Sequence, residues 1–396
     1  MDIHHSGLTN GPVYLDYNAT TPVDPRVAEA LQPYLTTWFG NPSSTHAYAA
    51  APAAALRTAR MQVAALIAGD PDGVVFTGSG SEANNLAIRG SVLAAATEHP
   101  HVITQATEHP AVLATCRALQ RLHGIDVTYL PVDHSGQVDL SDLAAAITPH
   151  TVLVSVMLAN NETGTIQPVA EMARIAHERG VVVHTDAAQA AGKVDIDVTA
   201  LGVDLLTVVG HKMYAPKGVA ALYARPGLRL EPIIYGGRQE RGLRAGAENV
   251  ALAVALGVAA ELAHADLDAG GRQRLEDLRD RLHAGLADAL PDRVILNGHT
   301  HWRLPNTLNI TIAGIPGDAL LATTTGVAAS TGSACHGGAA EPSPVLSAMG
   351  LDRDRALSAL RLSVGRWSTD RDVDHAAEQL ATAAKRLLHP ADSTTR

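Results

Sequence analysis

Between about Val74 and Tyr223 short β-branched runs alternate with helical ones, and this rhythm constrains the fold more than any other feature of the chain. VVF is followed by SEANNLAIRGSVLAAA, HVIT by AVLATCRALQRLHG, and IDVTYLPV by TVLVSVML; PVAEMARIAHERG then leads into VVVHTDAA, DLLTVVG and GVAALYA. Strands separated by helices pair in parallel through crossovers, so the pattern predicts an α/β fold with a mostly parallel, two-sided sheet. Aromatic residues are only 3% of the chain, which leaves Ala, Val, Leu and Ile to build the core.

After GGRQERGLRAGAEN the pattern changes to an Ala/Leu-rich helical stretch, about Val250 to Leu290, and then to VILNG, TLNITI and LRLSVG as strands among helices. We expect a large domain over 21–255 and a small α+β domain over 256–396, with segment 1–20 packing on the small one. The net charge of −10, with no basic stretch interleaved with aromatics, argues against a nucleic-acid partner. No apolar leader and no run of membrane-spanning length is apparent, so no membrane partner is expected. Cys116 and Cys335 are too few for a disulfide framework, and no HExxH or CxxC spacing suggests a metal. A reducing cytoplasm is the expected location.

Ligands of open α/β sheets collect beyond the carboxyl ends of the strands. Polar segments stand there in succession: TGSGSEANN after VVF, TEHP after HVITQA, ANNETG after TVLVSVML, DAAQ after VVVHT, and GHK after LLTVV. Gly80 and Ser81 open a helix whose N-terminal N–H groups suit an anion, or else form an ordinary cap. Asp186 ends a valine run, where a carboxylate needs a cation, a donor or a cap to be tolerated. Lys212 is an amine that desolvation can turn into a nucleophile, or else an ordinary surface lysine, and His109 can stack on a ring or move protons, or else is an ordinary turn histidine before Pro110. Cys335 lies in Ser330-Thr331-Gly332-Ser333-Ala334-Cys335-His336-Gly337-Gly338, among the small residues that suit a mobile thiol, whereas Cys116 in AVLATCRALQ reads as core.

Taken together, YLDYNATTPVDPRV, FGNPSSTH, TEHPAV, NNETG, HTDAAQAAGK, GHKMYAPKG, GGRQERGLRAG, GSACHGG, EPSPVL and LRLSVGR resemble the class V aminotransferase family, and within it the cysteine desulfurases of the NifS/IscS type. The resemblance implies a type I pyridoxal 5′-phosphate (PLP)-dependent transferase fold and a homodimer. It implies that Lys212 carries the cofactor, Asp186 meets its pyridine nitrogen, Gln189 and Asn160 lie near its ring hydroxyl, and His109 stacks on the ring. Gly80, Ser81 and His211 are implied at the phosphate, and Arg361, with Asn160, at the substrate carboxylate.

The implied reaction converts L-cysteine to L-alanine with a persulfide on Cys335, for transfer to an acceptor protein in iron–sulfur cluster assembly or another sulfur pathway. Two positions depart from the family pattern, because Val209 and Ala247 stand where it usually has hydroxyl residues near the phosphate. Val-Gly-His-Lys also resembles selenocysteine lyases, which keeps L-selenocysteine open as substrate; a class V aminotransferase ranks behind both readings.

Overall fold

The computed structural model describes the backbone of residues 5–331, 335–336 and 339–389, and the side chains of all of these except 335, 336, 339 and 340. After a two-residue strand β1 (Val13–Tyr14), seven strands form the main sheet: β2 (Val74–Thr77), β3 (His101–Gln105), β4 (Asp126–Leu130), β5 (Thr151–Ser155), β6 (Val182–Asp186), β7 (Leu205–Val209) and β8 (Ala220–Ala224). Their order is β2-β8-β7-β6-β5-β3-β4. From β7 to β4 every pair is parallel, as the alternation with helices predicts.

GVAALYA departs from that pattern. Only a short turn separates it from β7, with no crossover helix, so β8 returns antiparallel to β7 and to β2. Two reversals leave β2 pointing the same way as β7, and the carboxyl ends of β2, β3, β5, β6 and β7 all open on one edge. The polar segments noted in the sequence therefore converge.

A second, antiparallel sheet, in the order β14-β10-β9, is made by β9 (Val294–Leu296), β10 (Thr307–Ile312) and β14 (Ala359–Ser363). Helices Gly271–Ala289 and Asp370–Leu388 cover it with leucines and alanines, including Leu282, Leu286, Leu380 and Ala384. The N-terminal segment joins this side: β1 pairs with β11 (Val327–Ala328) and Leu15 lies in the same core. Backbone strands β12 (Cys335–His336) and β13 (Ala339–Ala340) pair with each other.

Helix Val250–Asp268 spans the expected 255/256 boundary, and Ala253, Leu256 and Ala260 on either side of it bury into the larger core. It is also long and apolar enough to cross a membrane by length and composition, which corrects the expectation that no run reaches that length. Here its apolar surface packs on helix Ala47–Leu66. Gly257 allows the approach, since a Cβ there would stand 2.6 Å from Ala59 Cα.

His184 ties the central strands together. Its Nδ1 lies 2.8 Å from the Ser155 hydroxyl on β5 and its Nε2 3.1 Å from the Thr207 hydroxyl on β7. Burial lowers its pKa from 6.5 to about 4, with only a partial counter-pull from Asp186. The folded chain thus refuses a proton that the unfolded chain accepts, so stability is complete above pH 6.5 and falls as pH drops toward 4. The shift corresponds to about 3 kcal/mol. Urea unfolding of His184→Gln across pH 4–7 is expected to show a shallower acid loss than wild type; an unchanged slope would refute this role.

Candidate functional site

A cavity of about 450 Å³ lies at the common strand edge, walled by Asp186, Lys212, His109, Gln189, Asn84 and Arg361 among others. Asp186, the last residue of β6, is 6% exposed. Its Oδ2 accepts from Asn84 Nδ2 at 2.7 Å and its Oδ1 from the Ala188 N–H at 2.9 Å. These are two donors and no cation, so the carboxylate faces the cavity without a counter-ion. Asn84 comes from helix Gly80–Ala94, and its own Oδ1 is buried without a hydrogen-bond partner.

Lys212 closes the one-turn helix that follows β7. Its Nζ donates to the carbonyls of Asn18 and Ala19, both at 2.7 Å, leaving one of three donors uncommitted. Burial is the main cause, and Arg361 the next, of a pKa lowered to about 8, with Asp16 and Asp186 pulling the other way. At pH 7 about a tenth of such amines is neutral, against roughly three in ten thousand for an ordinary lysine. The site thus makes a nucleophilic amine some hundreds of times more abundant.

His109 caps helix Pro110–His123, with Nδ1 accepting from the Ala111 N–H at 3.1 Å. That bond places the proton of the neutral ring on Nε2. Burial lowers the His109 pKa, Lys212 adds to the effect and Asp186 opposes it. The adjoining His211 is held to about 4, by burial first and then by Lys212, Lys217 and His109, so it is neutral at physiological pH.

At the other end Ser79 caps helix Gly80–Ala94 by accepting from the Glu82 N–H, and Gly80 and Ser81 line the cavity. Any Cβ at Gly80 would lie 2.5 Å from Val209 Cγ2, so the valine fills space that only glycine leaves free. Ser81, Lys217 and Gly218 are exposed here, and Ala247 is exposed away from the wall.

Arg361 reaches the cavity from β14, joining the two sheets. Its Nη1 donates to the Asn161 carbonyl at 3.2 Å and its Nη2 to Asp16 at 2.9 Å, while Nε is buried without a partner. Gln189 is pinned between Asn18 and Lys193.

One expected residue is displaced. Asn160 does not line the cavity, because its Nδ2 donates to the Thr107 carbonyl and its Oδ1 accepts from the Glu162 and Thr163 N–H groups, which uses the amide to hold the turn. Asn161, one residue on, faces the cavity instead. Asn18, Asn84 and Lys193 were not singled out from sequence; Asn18 and Asn84 line the cavity, and Lys193 lies behind Gln189. The Cys335 side chain lies outside the described residues. Leading toward it, Ser330 forms two backbone hydrogen bonds with Arg361, so the segment leaves the small sheet beside the cavity wall. Among the described residues no cluster suited to a metal ion occurs.

Comparison with known proteins finds relatives along nearly the whole chain. The family model for aminotransferase class-V matches residues 13–375. A human protein named cysteine desulfurase is 46% identical over 379 residues, 95% of this chain and 82% of its own length. A cysteine desulfurase of Trichormus azollae is 46% identical over 377 residues, covering 95% and 93% of the two chains. Among solved structures, a NifS-like protein superposes with a TM-score of 0.86 at 34% identity over 95% of this chain and 99% of its own. SspA in complex with cysteine gives 0.79 at 36% identity, over 90% and 99%.

Proposed function

Because the chain belongs to the class V aminotransferases and is a PLP-dependent cysteine desulfurase, we propose that the cavity at the strand edge is its active site, with L-cysteine as substrate and Cys335 as sulfur acceptor. The observation that carries this reading is the placement of the Lys212 amine, with its pKa near 8, on one wall with the Asp186 carboxylate and Arg361.

The residues present fit PLP. The open Lys212 amine suits its aldehyde, and Asp186, backed by Asn84 and the Ala188 N–H, suits its pyridine nitrogen. Gly80, Ser81 and His211 would hold the phosphate, and His109 and Gln189 the ring. When bound, PLP supplies an electron sink for the substrate α-carbon.

Arg361 binds the substrate carboxylate through its unpartnered Nε and a share of the bond now made to Asp16. Asn161, in place of Asn160, is the amide available beside it. The neutral amine of Lys212 takes the α-proton. The Cys335 thiolate attacks the substrate sulfur and the Cβ–S bond breaks. Its electron pair stays with Cβ and is protonated as alanine forms, while the sulfur remains on Cys335 as a persulfide. The persulfide then passes to a sulfur-acceptor protein. Stoichiometric alanine and, with a thiol reductant, sulfide from L-cysteine is the expected result; turnover of L-selenocysteine alone would move the assignment to a selenocysteine lyase.

The enzyme works as a homodimer in this proposal. Phe39 and Tyr235 are each 71% exposed, and the cavity is open at Ser81, Lys217 and Gly218, which is where a second subunit would cover it. Sedimentation at micromolar concentration is expected to give twice the chain mass of 41.2 kDa. A fully active monomer would refute it.

A further inference from the structure

We infer that Lys193 is a positioning residue for the desulfurase reaction: it holds the Gln189 amide with its oxygen turned to the protein, so that Gln189 meets the bound cofactor as an N–H donor. This rests on the reading of the cavity as the PLP site.

Lys193 is 7% exposed, and its Nζ donates to the Gln189 backbone carbonyl at 2.9 Å and to Gln189 Oε1 at 3.1 Å. Neither acceptor is a carboxylate. A buried ammonium without a counterion is costly, and Lys212 and Arg361 add to the cost; burial first, then these charges, lowers the Lys193 pKa to about 7. A methionine would fill the same volume at no such penalty, so the amine must be serving its hydrogen bonds.

Those bonds fix an orientation that the amide alone leaves open. In its ammonium form Lys193 can only donate, so Gln189 presents Oε1 to it, as the contact at 3.1 Å shows. On the other side Gln189 Nε2 donates to the Asn18 carbonyl at 2.9 Å, an atom that can only accept. Both neighbours require the same orientation, and the second N–H of Nε2 is left for the cavity that Gln189 lines. The local chain is shaped for the contact: Gly192, at φ 73°, packs where a Cβ would stand 2.9 Å from Ala263 Cβ, and the turn brings Lys193 back over Gln189, four residues earlier.

The same Asn18 carbonyl accepts from Lys212 Nζ at 2.7 Å. Lys193, Gln189, Asn18 and Lys212 therefore form one hydrogen-bonded series, in which loosening the first member leaves the Gln189 amide held by the Asn18 carbonyl alone.

The test is a double-mutant cycle on the holoenzyme with Lys193→Met and Gln189→Met, reading the visible absorption maximum of bound PLP and its dissociation rate as well as turnover. Lys193→Met is expected to shift the absorption maximum and lower kcat about tenfold with KM nearly unchanged, the size of one charged hydrogen bond. In a Gln189→Met background the same substitution is expected to change nothing further. Lys193→Gln, which keeps an N–H donor without the buried charge, is expected to retain the wild-type spectrum, and it serves if the methionine variant does not fold. Equal effects of Lys193→Met in both backgrounds, or an altered spectrum in Lys193→Gln, would overturn the inference while leaving Gln189 in place. A silent Gln189→Met would overturn it together with the role of Gln189 in the site.

Discussion

Lys212→Ala is expected to abolish borohydride-fixed PLP label on the protein and to lower turnover of L-cysteine roughly 10³-fold or more, since in the proposed reaction it removes both the amine that captures the cofactor and a base of the kind worth about 10²–10⁴. The competing candidate is Lys193. Its pKa of about 7 is lower than the value of about 8 at Lys212, so acidity alone would select it. Geometry reverses the choice. Lys193 does not line the cavity and spends its amine on Gln189, whereas Lys212 stands on the cavity wall with a donor uncommitted. Peptide mapping of the reduced adduct separates the two, and label found on Lys193, or undiminished in Lys212→Ala, would refute the assignment. The substitution also removes a buried ammonium, so thermal stability of the apoprotein is expected to hold or rise, which keeps loss of label distinct from loss of fold.

Why Lys212 was legible in the sequence while its neighbours were not is a matter of range. Asp186 and Lys212 each follow an apolar run, and a residue at the end of a buried strand in an α/β sheet has only one edge to occupy. Local pattern therefore located both. The choice between Asn160 and Asn161 is different in kind. Two identical side chains stand side by side, and which one turns inward is decided by the Thr107 carbonyl, from another strand exit, drawing in Asn160 Nδ2. No periodicity carries that information.

Asn18 illustrates the same limit at longer range. Its carbonyl serves Lys212 and Gln189 from 194 and 171 residues away. Similarly, the short apolar run GVAALYA announced a strand, but its direction depended on the connection after β7, which carries no crossover helix. The helix at Val250–Asp268 read as a bridge because it is rich in Ala and Leu; that composition does not say which core receives it.

Cys335→Ala is expected to leave PLP absorption and L-cysteine binding intact while lowering alanine formation roughly 10²-fold or more, because in the proposed reaction its thiolate accepts the sulfur. The other cysteine does not substitute. Cys116 is fully buried in the core of helix Pro110–His123, and burial, followed by the charge of Glu108, pushes its thiol up to about 12. At neutral pH it is neither ionised nor within reach of the cavity. Chain length allows Cys335 the reach that Cys116 lacks, since Ser330 is bonded to Arg361 at the wall and five residues span at most about 17 Å. The variant separates two reactions that yield the same alanine. If sulfur leaves by transfer, turnover needs the thiolate and collapses without it; if it leaves by elimination, the Cβ–S bond breaks unaided and the rate survives. Selenocysteine is the weaker probe, since selenide departs more readily and the variant is expected to retain slow cleavage of it. With L-cysteine the outcomes diverge fully: a wild-type rate in Cys335→Ala, with PLP bound, would refute transfer to this residue, and alkylation of Cys335 in the wild-type enzyme is expected to stop alanine formation to the same extent as the substitution.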